Sequence, residues 1–570
     1  MLKYNHPYAP FVTFKDHELA KVIEVIPTWV LDTETTGLDV IGCGEDEAVW
    51  VGMSTTKDGA IPIVMDIDQF NRIVRPRMTG KAIVGHNLRF DYHALNWSER
   101  EIYPDWDTMC YTYFHSTTSK KSLDFMAEAR GLNIIYTPEE LKRGGIGNLP
   151  FKELGHYLAN DVILTRTIYN EQRQKKQGPA QDFTFERVIQ KIEDRGVHLL
   201  TERLEIVEIE AKEQLQTLQA GIAGMGFDGN LNSSKQLGEW LSKTGRKLPR
   251  TNSGNWSTSK DALSKLAENG DTFCQKLLEV RKMSKLISAF LEPLPQHAVT
   301  MSNGDHILFP RINTTRTATG RLSYAEPNLQ QIPKGRNSPI GKQIRRCLTA
   351  EGGLSVADYS QIELRVAAAL SDEPVLLDAF QHQRDPHGET AAKIFKKRLA
   401  DISPEERHAA KAMNFGILFG AGPKRLATEL KVPLSDAYNL FSDYKNGLSG
   451  LTAWCETTWD RMERTQIAQT HLGRTRLFGA HEDTRPGLSV VVQGTAAEML
   501  RHALIEVEEA NLLPVLTVHD EIACAGKGKA KELSEIMQHA AENACPELAA
   551  KVSFPADPEE GPTWGELKSV

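Results

Sequence analysis

The chain has 570 residues, 40% hydrophobic and 25% charged, with a formal net charge of −8; at about 100–200 residues per domain it can form two to four domains, each with its own core. No apolar run is long enough to span a bilayer and no charged-then-apolar leader opens the chain, which argues against a membrane protein and for a cytoplasmic one. Seven scattered cysteines (Cys43, Cys110, Cys274, Cys347, Cys455, Cys524 and Cys545) include no CxxC pair, so reduced and mostly buried thiols are expected rather than disulfides or a zinc site.

The first ~175 residues alternate short β-rich runs with helical stretches, the pattern of an α/β domain. TWVLDTET (28–35) reads as a buried strand, AIVGHN (82–87) as another, and KELGHYLANDVILTRTIYNEQRQKK (152–176) as a long amphipathic helix. Gln174–Asp182, with Gly178 and Pro179, reads as a linker. Beyond Phe183 the pattern is mostly helical, with clear periods at 201–226 and 403–420, where Ser403 and Pro404 suit an N-cap and first helical position. Strand-like runs return at GLSVADYS (353–360) and LPVLTVHDEIACAG (513–526). Basic clusters at Arg246, Lys247, Arg250, Lys260, Lys265, Lys276, Arg281, Lys282 and Lys285, and at Lys334, Arg336, Lys342, Arg345 and Arg346, can neutralise phosphates. Charge alone favours ordinary solvated helix faces.

Asp32 and Glu34 are two apart on a strand and share a face. Such a pair at the end of an apolar run needs a cation, a proton or a surface position. Asp91 closes HNLRFD, and Asp161 follows Tyr157 by one helical turn. Four acids from three elements can hold two Mg²⁺ ions and hydrolyse a phosphodiester, with Tyr157 orienting the water. The plainer alternative is a set of separate caps and surface acids, better than even odds for any one residue and far less for the ordered set.

Asp358 and Asp520 each follow an apolar strand-like run. Were those runs neighbours, the pair could clamp two Mg²⁺ ions between a triphosphate and an attacking 3′-hydroxyl. Arg407, Lys411, Phe415 and Phe419 recur every four residues on the expected 403–420 helix. Cations lead and aromatics follow, matching the phosphates and base of a nucleoside triphosphate. An amphipathic helix with core phenylalanines and solvated cations is the plainer alternative.

DTETTGL, HNLRFD and YLAND resemble the three motifs of the DEDDy 3′→5′ exonucleases, which implies an RNase H-like α/β domain that removes nucleotides from a 3′ end. DYSQIELR, RHAAKAMNFGILFG and VHDE resemble motifs A, B and C of family A DNA polymerases, and TATGRLS, PNLQQIP, DPHGETAAKIF, VVQGTAAE and GPTWGELK resemble further family segments in the family's order. The resemblance implies an α/β RNase H-like exonuclease domain over 1–178, followed by a right-hand α+β polymerase domain over 179–570. Within it, the thumb is expected at about 205–305, the fingers at about 371–485, and the palm in the remainder, including 306–370 and 486–570. Asp358 and Asp520 are implied as metal ligands with Glu521 auxiliary, and Asp32, Glu34, Asp91 and Asp161 as the exonuclease ligands beside Tyr157. Arg407, Lys411, Phe415, Phe419, His387 and the steric-gate Glu363 are implied for dNTP, and Arg321, Asn328, Gln330, Arg485, Gln493 and His519 for DNA. The implied cofactor is Mg²⁺, two ions per site with Mn²⁺ as a substitute, and the implied partners are primer-template DNA and dNTPs, bound by a monomer.

Phe419 stands where most members have tyrosine, which puts a hydrogen bond to the Glu363 region in question; Tyr324 replaces the second serine of LSS, and Ser489 an asparagine. Phe415 matches the form expected to use dideoxynucleotides poorly. Asp107 in WDTM reads as structural. With no 5′-nuclease region expected ahead of the exonuclease and a short 286–309 stretch, the layout resembles a phage replicase acting in a host cytoplasm; a bacterial or plasmid origin fits as well. A nuclease whose second half only grips DNA, or a non-catalytic binding protein, would be expected to lose some of these acids, and none is lost.

Overall fold

The computed structural model describes residues 1–41, 46–97, 106–135, 150–175, 179–335 and 338–570; Cys43 and Arg336 lie outside them. The N-terminal sheet has seven strands: β1 (Leu2–Tyr4), β2 (Phe11–Thr13), β3 (Thr28–Thr35), β4 (Ala48–Thr55), β5 (Ile63–Asp66), β6 (Ala82–Gly85) and β7 (Trp106–Asp107). Their order is β1-β2-β5-β4-β3-β6-β7, with β3 antiparallel to β4 and parallel to β6. Trp29, Val30 and Leu31 are all buried because elements cover both faces of β3. One cover is the helix Phe151–Lys175. It lies so close that a Cβ on Gly52 of β4 would meet Leu158 at 2.8 Å and Val162 at 3.0 Å. That approach brings Asp161 over the end of β3.

The expected linker is helical at both of its ends, and 176–178, with Gly178, lie outside the described residues. The 151–175 helix runs through Gln174, and the next helix, Ala180–Arg195, includes Asp182. Asp182 is buried, with its carboxylate 2.8 and 2.7 Å from Arg474 Nη2 and 3.3 Å from Arg501 Nη1. Asp182 is thus an internal partner of distant cations, while Gln174 and Gln181 stay exposed.

Small sheets connect the second half. β8 (Val197–Leu199), β9 (Ala298–Thr300), β10 (His306–Leu308) and β13 (Leu348–Thr349) form one, in the order β13-β8-β10-β9. β11 (Arg311–Asn313) pairs with β12 (Ser323–Ala325), and β15 (Ile467–Gln469) with β16 (Thr475–Leu477). The larger sheet has the order β17-β18-β14-β19-β20, with β14 (Leu354–Tyr359), β17 (Pro514–Val518), β18 (Glu521–Ala525), β19 (Ala556–Gly561) and β20 (Lys568–Ser569). The 513–526 run is therefore a hairpin and not one strand. His519 (φ 58°) and Asp520 make its turn, so Asp520 sits on a loop tip rather than on a strand.

The helices Thr201–Ala223, Ser234–Lys243, Lys260–Glu268 and Thr272–Leu286 lie where the thumb is expected, with a separate core around Leu237, Leu263, Phe273 and Leu277. Much of the basic tract there is internally engaged. Arg246 pairs with Asp271 at 2.6 Å, Arg250 stacks 3.4 Å over Trp256, and Arg281 donates to Thr258 O. Lys247, Lys260, Lys265 and Lys285 stay exposed. Arg345 of the second cluster is buried against Ile332 O (2.9 Å) and the Trp564 ring (3.5 Å). The helix Pro404–Leu418 starts as expected: Ser403 Oγ accepts from Glu406 N at 3.2 Å and Glu406 accepts from Ser403 N at 3.0 Å, a reciprocal cap.

Candidate active sites

β3 and the 151–175 helix converge on the first site. One oxygen each from Asp32, Glu34 and Asp161 lies within 4.8 Å of the others, the one such group among the described residues. Asp91, from the helix Leu88–Ala94, stands behind them and accepts a 2.7 Å hydrogen bond from Thr33 Oγ1. Burial pushes Asp32 up to about 7. Burial first, then the neighbouring carboxylates, hold Glu34, Asp91 and Asp161 well above the ordinary carboxylate range. The Tyr157 hydroxyl bonds to Asp161 and opposes that rise, which joins the two residues as the helical spacing predicts. Asp107 is structural as expected: it accepts from Met109 N, Cys110 N and Leu88 N at 2.8, 3.0 and 2.8 Å, fixing the start of the helix that carries Asp91. Clustered carboxylates, half-buried at Asp32 and Glu34 and buried at Asp161, with no ion pair to a cation among the described residues, form a hard oxygen donor set, which fits Mg²⁺ or Mn²⁺.

At the second site Asp358 and Asp520 do meet. β14 lies beside β18 with Asp358 opposite Glu521, and Tyr359 N donates to Asp520 O at 3.1 Å. Two cations hold the acids. Lys334 Nζ is 3.0 Å from Asp358 Oδ2 and 3.5 Å from Glu521 Oε2. Arg321 pairs with Glu363 and reaches Asp520 Oδ1 at 3.7 Å. Trp564 Nε1 donates to Glu521 Oε1 at 2.7 Å. Burial, with help from Glu363 and Asp358, pushes Asp520 up to about 6 against the pull of Arg321 and Lys334. Burial likewise raises Glu521. Asp520 and Glu521, each costly to ionise alone, also fit a divalent ion.

The helix Pro404–Leu418 carries the predicted stripe, with Phe419 as its C-cap, but Arg407 is already engaged. Asp385 takes it bidentately, at 2.6 and 3.0 Å, while capping the helix Pro386–Phe395 that carries His387. Spacing along one helix could not show a partner on another. Lys411 is exposed and makes no ion pair among the described residues. The Phe415 ring lies 5.9 Å from His387 and 6.2 Å from Phe419. Tyr444 Oη donates to Asn414 Oδ1 at 2.9 Å, which turns the Asn414 amide nitrogen toward His387 Nδ1 at 3.1 Å. His387 Nδ1 therefore accepts and Nε2 carries the proton. Burial pushes His387 down to about 4, so the ring is neutral at pH 7.

The residues implied for DNA are less gathered. Gln493 Nε2 lies 3.5 Å from Glu363 Oε2, joining Arg321 around that acid. His519 flanks Asp520 in the turn. Asn328 precedes, and Gln330 lies in, the 3₁₀ turn Leu329–Gln331, and Asn328 Oδ1 is buried without a partner among the described residues. Arg485 pairs with Asp483 at 2.9 Å and lies against the backbone of Gly420, past the end of the 404–418 helix.

Residues 201–566 match the family model described as DNA polymerase family A, and residues 14–175 match one described as 3′-5′ exonuclease. The chain belongs to DNA polymerase family A. Among curated relatives of this family A chain, DNA polymerase I of Borreliella burgdorferi is 29% identical over 94% of this chain and 62% of its own length. DNA polymerase I of Pseudomonas aeruginosa is 30% identical over 88% and 60%. The thermostable DNA polymerase I of Thermus aquaticus is 35% identical over 63% and 45%. The chain thus spans about half to three-fifths of the length of these relatives. A solved structure described as the POL domain of Pol1 from M. smegmatis in complex with DNA primer-template and dNTP has a TM-score of 0.81 at 23% identity, covering 97% of this chain and 99% of that one, and so shares the fold.

Several residues of this family A site escaped the sequence reading. Lys334 belongs to a cluster expected either to neutralise phosphates or to line a solvated face, yet it pairs with carboxylates. Asn414 lies inside the motif B segment without a role of its own, and Trp564 was only part of a family ending. Tyr324 is buried, and its hydroxyl accepts from Thr517 N at 3.1 Å, supporting the strand that leads to Asp520.

Proposed function

We propose that this chain extends a DNA primer from dNTPs on a template and removes mismatched 3′ ends with its N-terminal site, working as a monomer in the cytoplasm. The single observation that carries this reading is the meeting of Asp358 with Asp520 at the head of β14 and the β17–β18 turn, 162 residues apart in sequence; the capped helix Pro404–Leu418 adds Lys411 and Phe415, packed against His387 of the helix Pro386–Phe395. The proposed domain limits are exonuclease to 178, thumb at about 205–305, fingers at about 371–485 and palm in the remainder.

Each residue has a stated task. Lys411 and the Nε2 proton of neutral His387 receive the triphosphate. Phe415 and Phe419 pack against sugar and base. Glu363, fixed by Arg321 and Gln493, blocks a 2′-hydroxyl by position alone, so the missing hydroxyl of Phe419 does not remove its anchors. Asp358 and Asp520 hold Mg²⁺, with Glu521 in support, and Asp32, Glu34, Asp91 and Asp161 do so in the exonuclease half. Bound there, the cation supplies charge neutralisation to the phosphoryl group and its leaving oxygen. Arg407 keeps Asp385, and through it the His387 helix, in place. Asn328, Gln330, Arg485 and His519 line the route of the duplex.

Primer extension tests the reading. With dNTPs and Mg²⁺ a labelled primer should lengthen, and without dNTPs it should shorten from its 3′ end. Asp358→Ala should abolish lengthening and leave shortening, and Asp32→Ala with Glu34→Ala should do the reverse. Lengthening retained by Asp358→Ala would overturn the assignment.

A further inference from the structure

The loop that delivers Arg321 to the polymerase site is held from two sides. Its carbonyls at Thr314 and Gly320 accept from Arg501 Nη2 of the palm at 2.7 and 3.1 Å. Its carbonyls at Thr317 and Ala318 accept from side chains of the exonuclease half: Tyr113 Oη at 2.7 Å and Thr117 Oγ1 at 2.8 Å. Thr317 Oγ1 in turn donates to Arg321 O at 2.7 Å, so the tether on Thr317 passes to Arg321 within the loop.

Both exonuclease side chains are themselves fixed. Tyr113 and Thr117 are 1% and 3% exposed. The Tyr113 ring has Arg474 at 5.1 Å and Lys121 at 5.2 Å. Thr117 N donates to Thr475 O at 2.8 Å, fixing its backbone to the β15–β16 hairpin. Gly320 (φ +84°) closes the loop against Arg474, whose Cδ would be 3.0 Å from a Cβ there. A buried backbone carbonyl needs a partner, and here half of the partners come from the other catalytic half.

We propose that Tyr113 and Thr117, which contact no reacting group, are positioning residues for DNA extension, acting through the loop that holds Arg321 against Glu363 and Asp520. The proposal rests on the role given to Arg321 above. The exonuclease half is thereby part of the polymerase site's scaffold, independent of its own catalysis.

Tyr113→Phe and Thr117→Val in the full chain test it, with kcat and KM for primer-template extension measured beside excision from a single-stranded oligonucleotide and thermal unfolding. Each variant should lower extension kcat/KM about two- to tenfold, the worth of one buried hydrogen bond, while single-strand excision stays unchanged. Thr117→Ser, which keeps the hydroxyl, should retain extension and guards against a folding defect at Thr117→Val. In an Arg321→Ala background both changes should have no further effect, because their path runs through that side chain. Unchanged extension, or losses that multiply fully with Arg321→Ala, would overturn the proposal. Full extension by Arg321→Ala alone would instead sink the role given to Arg321, and with it the route proposed here.

Discussion

Lys334 reaches across to Asp358 from 24 residues away in sequence and occupies, at 3.0 Å, the side of the carboxylate that faces Glu521. Its ammonium and a divalent ion draw on the same oxygens. The pair is half exposed, so it is worth at most about 1 kcal/mol. Lys334→Met should therefore lower the Mg²⁺ concentration for half-maximal extension about two- to fivefold. Mn²⁺ binding to the Asp32→Ala, Glu34→Ala chain should tighten in parallel. A higher Mg²⁺ requirement would mean that the lysine serves phosphates instead.

The buried exonuclease acids make a stability prediction. The Asp32 carboxyl rises to about 7 in the folded chain, above an unfolded value near 3.9. A group of that sign favours the fold fully below the unfolded value and loses that contribution as pH rises through about 7. In chelator, Asp32→Asn should match the parent near pH 4 and exceed it near pH 8 by on the order of 1 kcal/mol. Mg²⁺ should narrow the gap by stabilising only the parent. Thermal unfolding across pH reads both effects.

His387 gives the opposite limb. Its ring is pushed down to about 4, below an unfolded value near 6.5. Its contribution is present above about 6.5 and is lost as pH falls toward 4. His387→Gln should flatten the acid side of the stability profile and raise the dNTP KM. Asn414→Leu, which frees the ring nitrogen from its donor, should raise that KM about two- to tenfold with little change in excision.

Phe415 presents a plain ring beside His387, with no polar atom for a sugar that lacks its 3′-hydroxyl. Phe415→Tyr should improve the use of dideoxynucleotides relative to dNTPs by about tenfold or more. Competition between a dNTP and its dideoxy form in primer extension measures the ratio, and equal use by the parent chain would contradict the idea.

Local pattern carried far in this chain. The β3 strand matches TWVLDTET residue for residue, and the helices Phe151–Lys175 and Pro404–Leu418 fall where periodicity and the Ser403 cap put them. The motif acids gather because they ride on those elements. The turn at His519 and Asp520 stayed hidden because apolar residues continue on both sides and no glycine marks it. Charges that meet across the fold were equally silent: Arg407 with Asp385, Lys334 with Asp358, Asp182 with Arg474. No helical or strand period links residues so far apart, and the same holds for Tyr113 and Thr317.

Across the seam between the two halves Arg89 stands 3.5 Å from both Glu186 and Glu193, and His93 Nε2 lies 2.8 Å from Glu193. Prising the halves apart would part Arg89 from both carboxylates and break the Tyr113 and Thr117 hydrogen bonds to the Thr317 and Ala318 carbonyls as well. A swinging domain is thus the expensive way to carry a frayed strand from one centre to the other. Under the function proposed above, the cheaper traveller would be the nucleic acid, unzipping a few bases and crossing a scaffold that stays still.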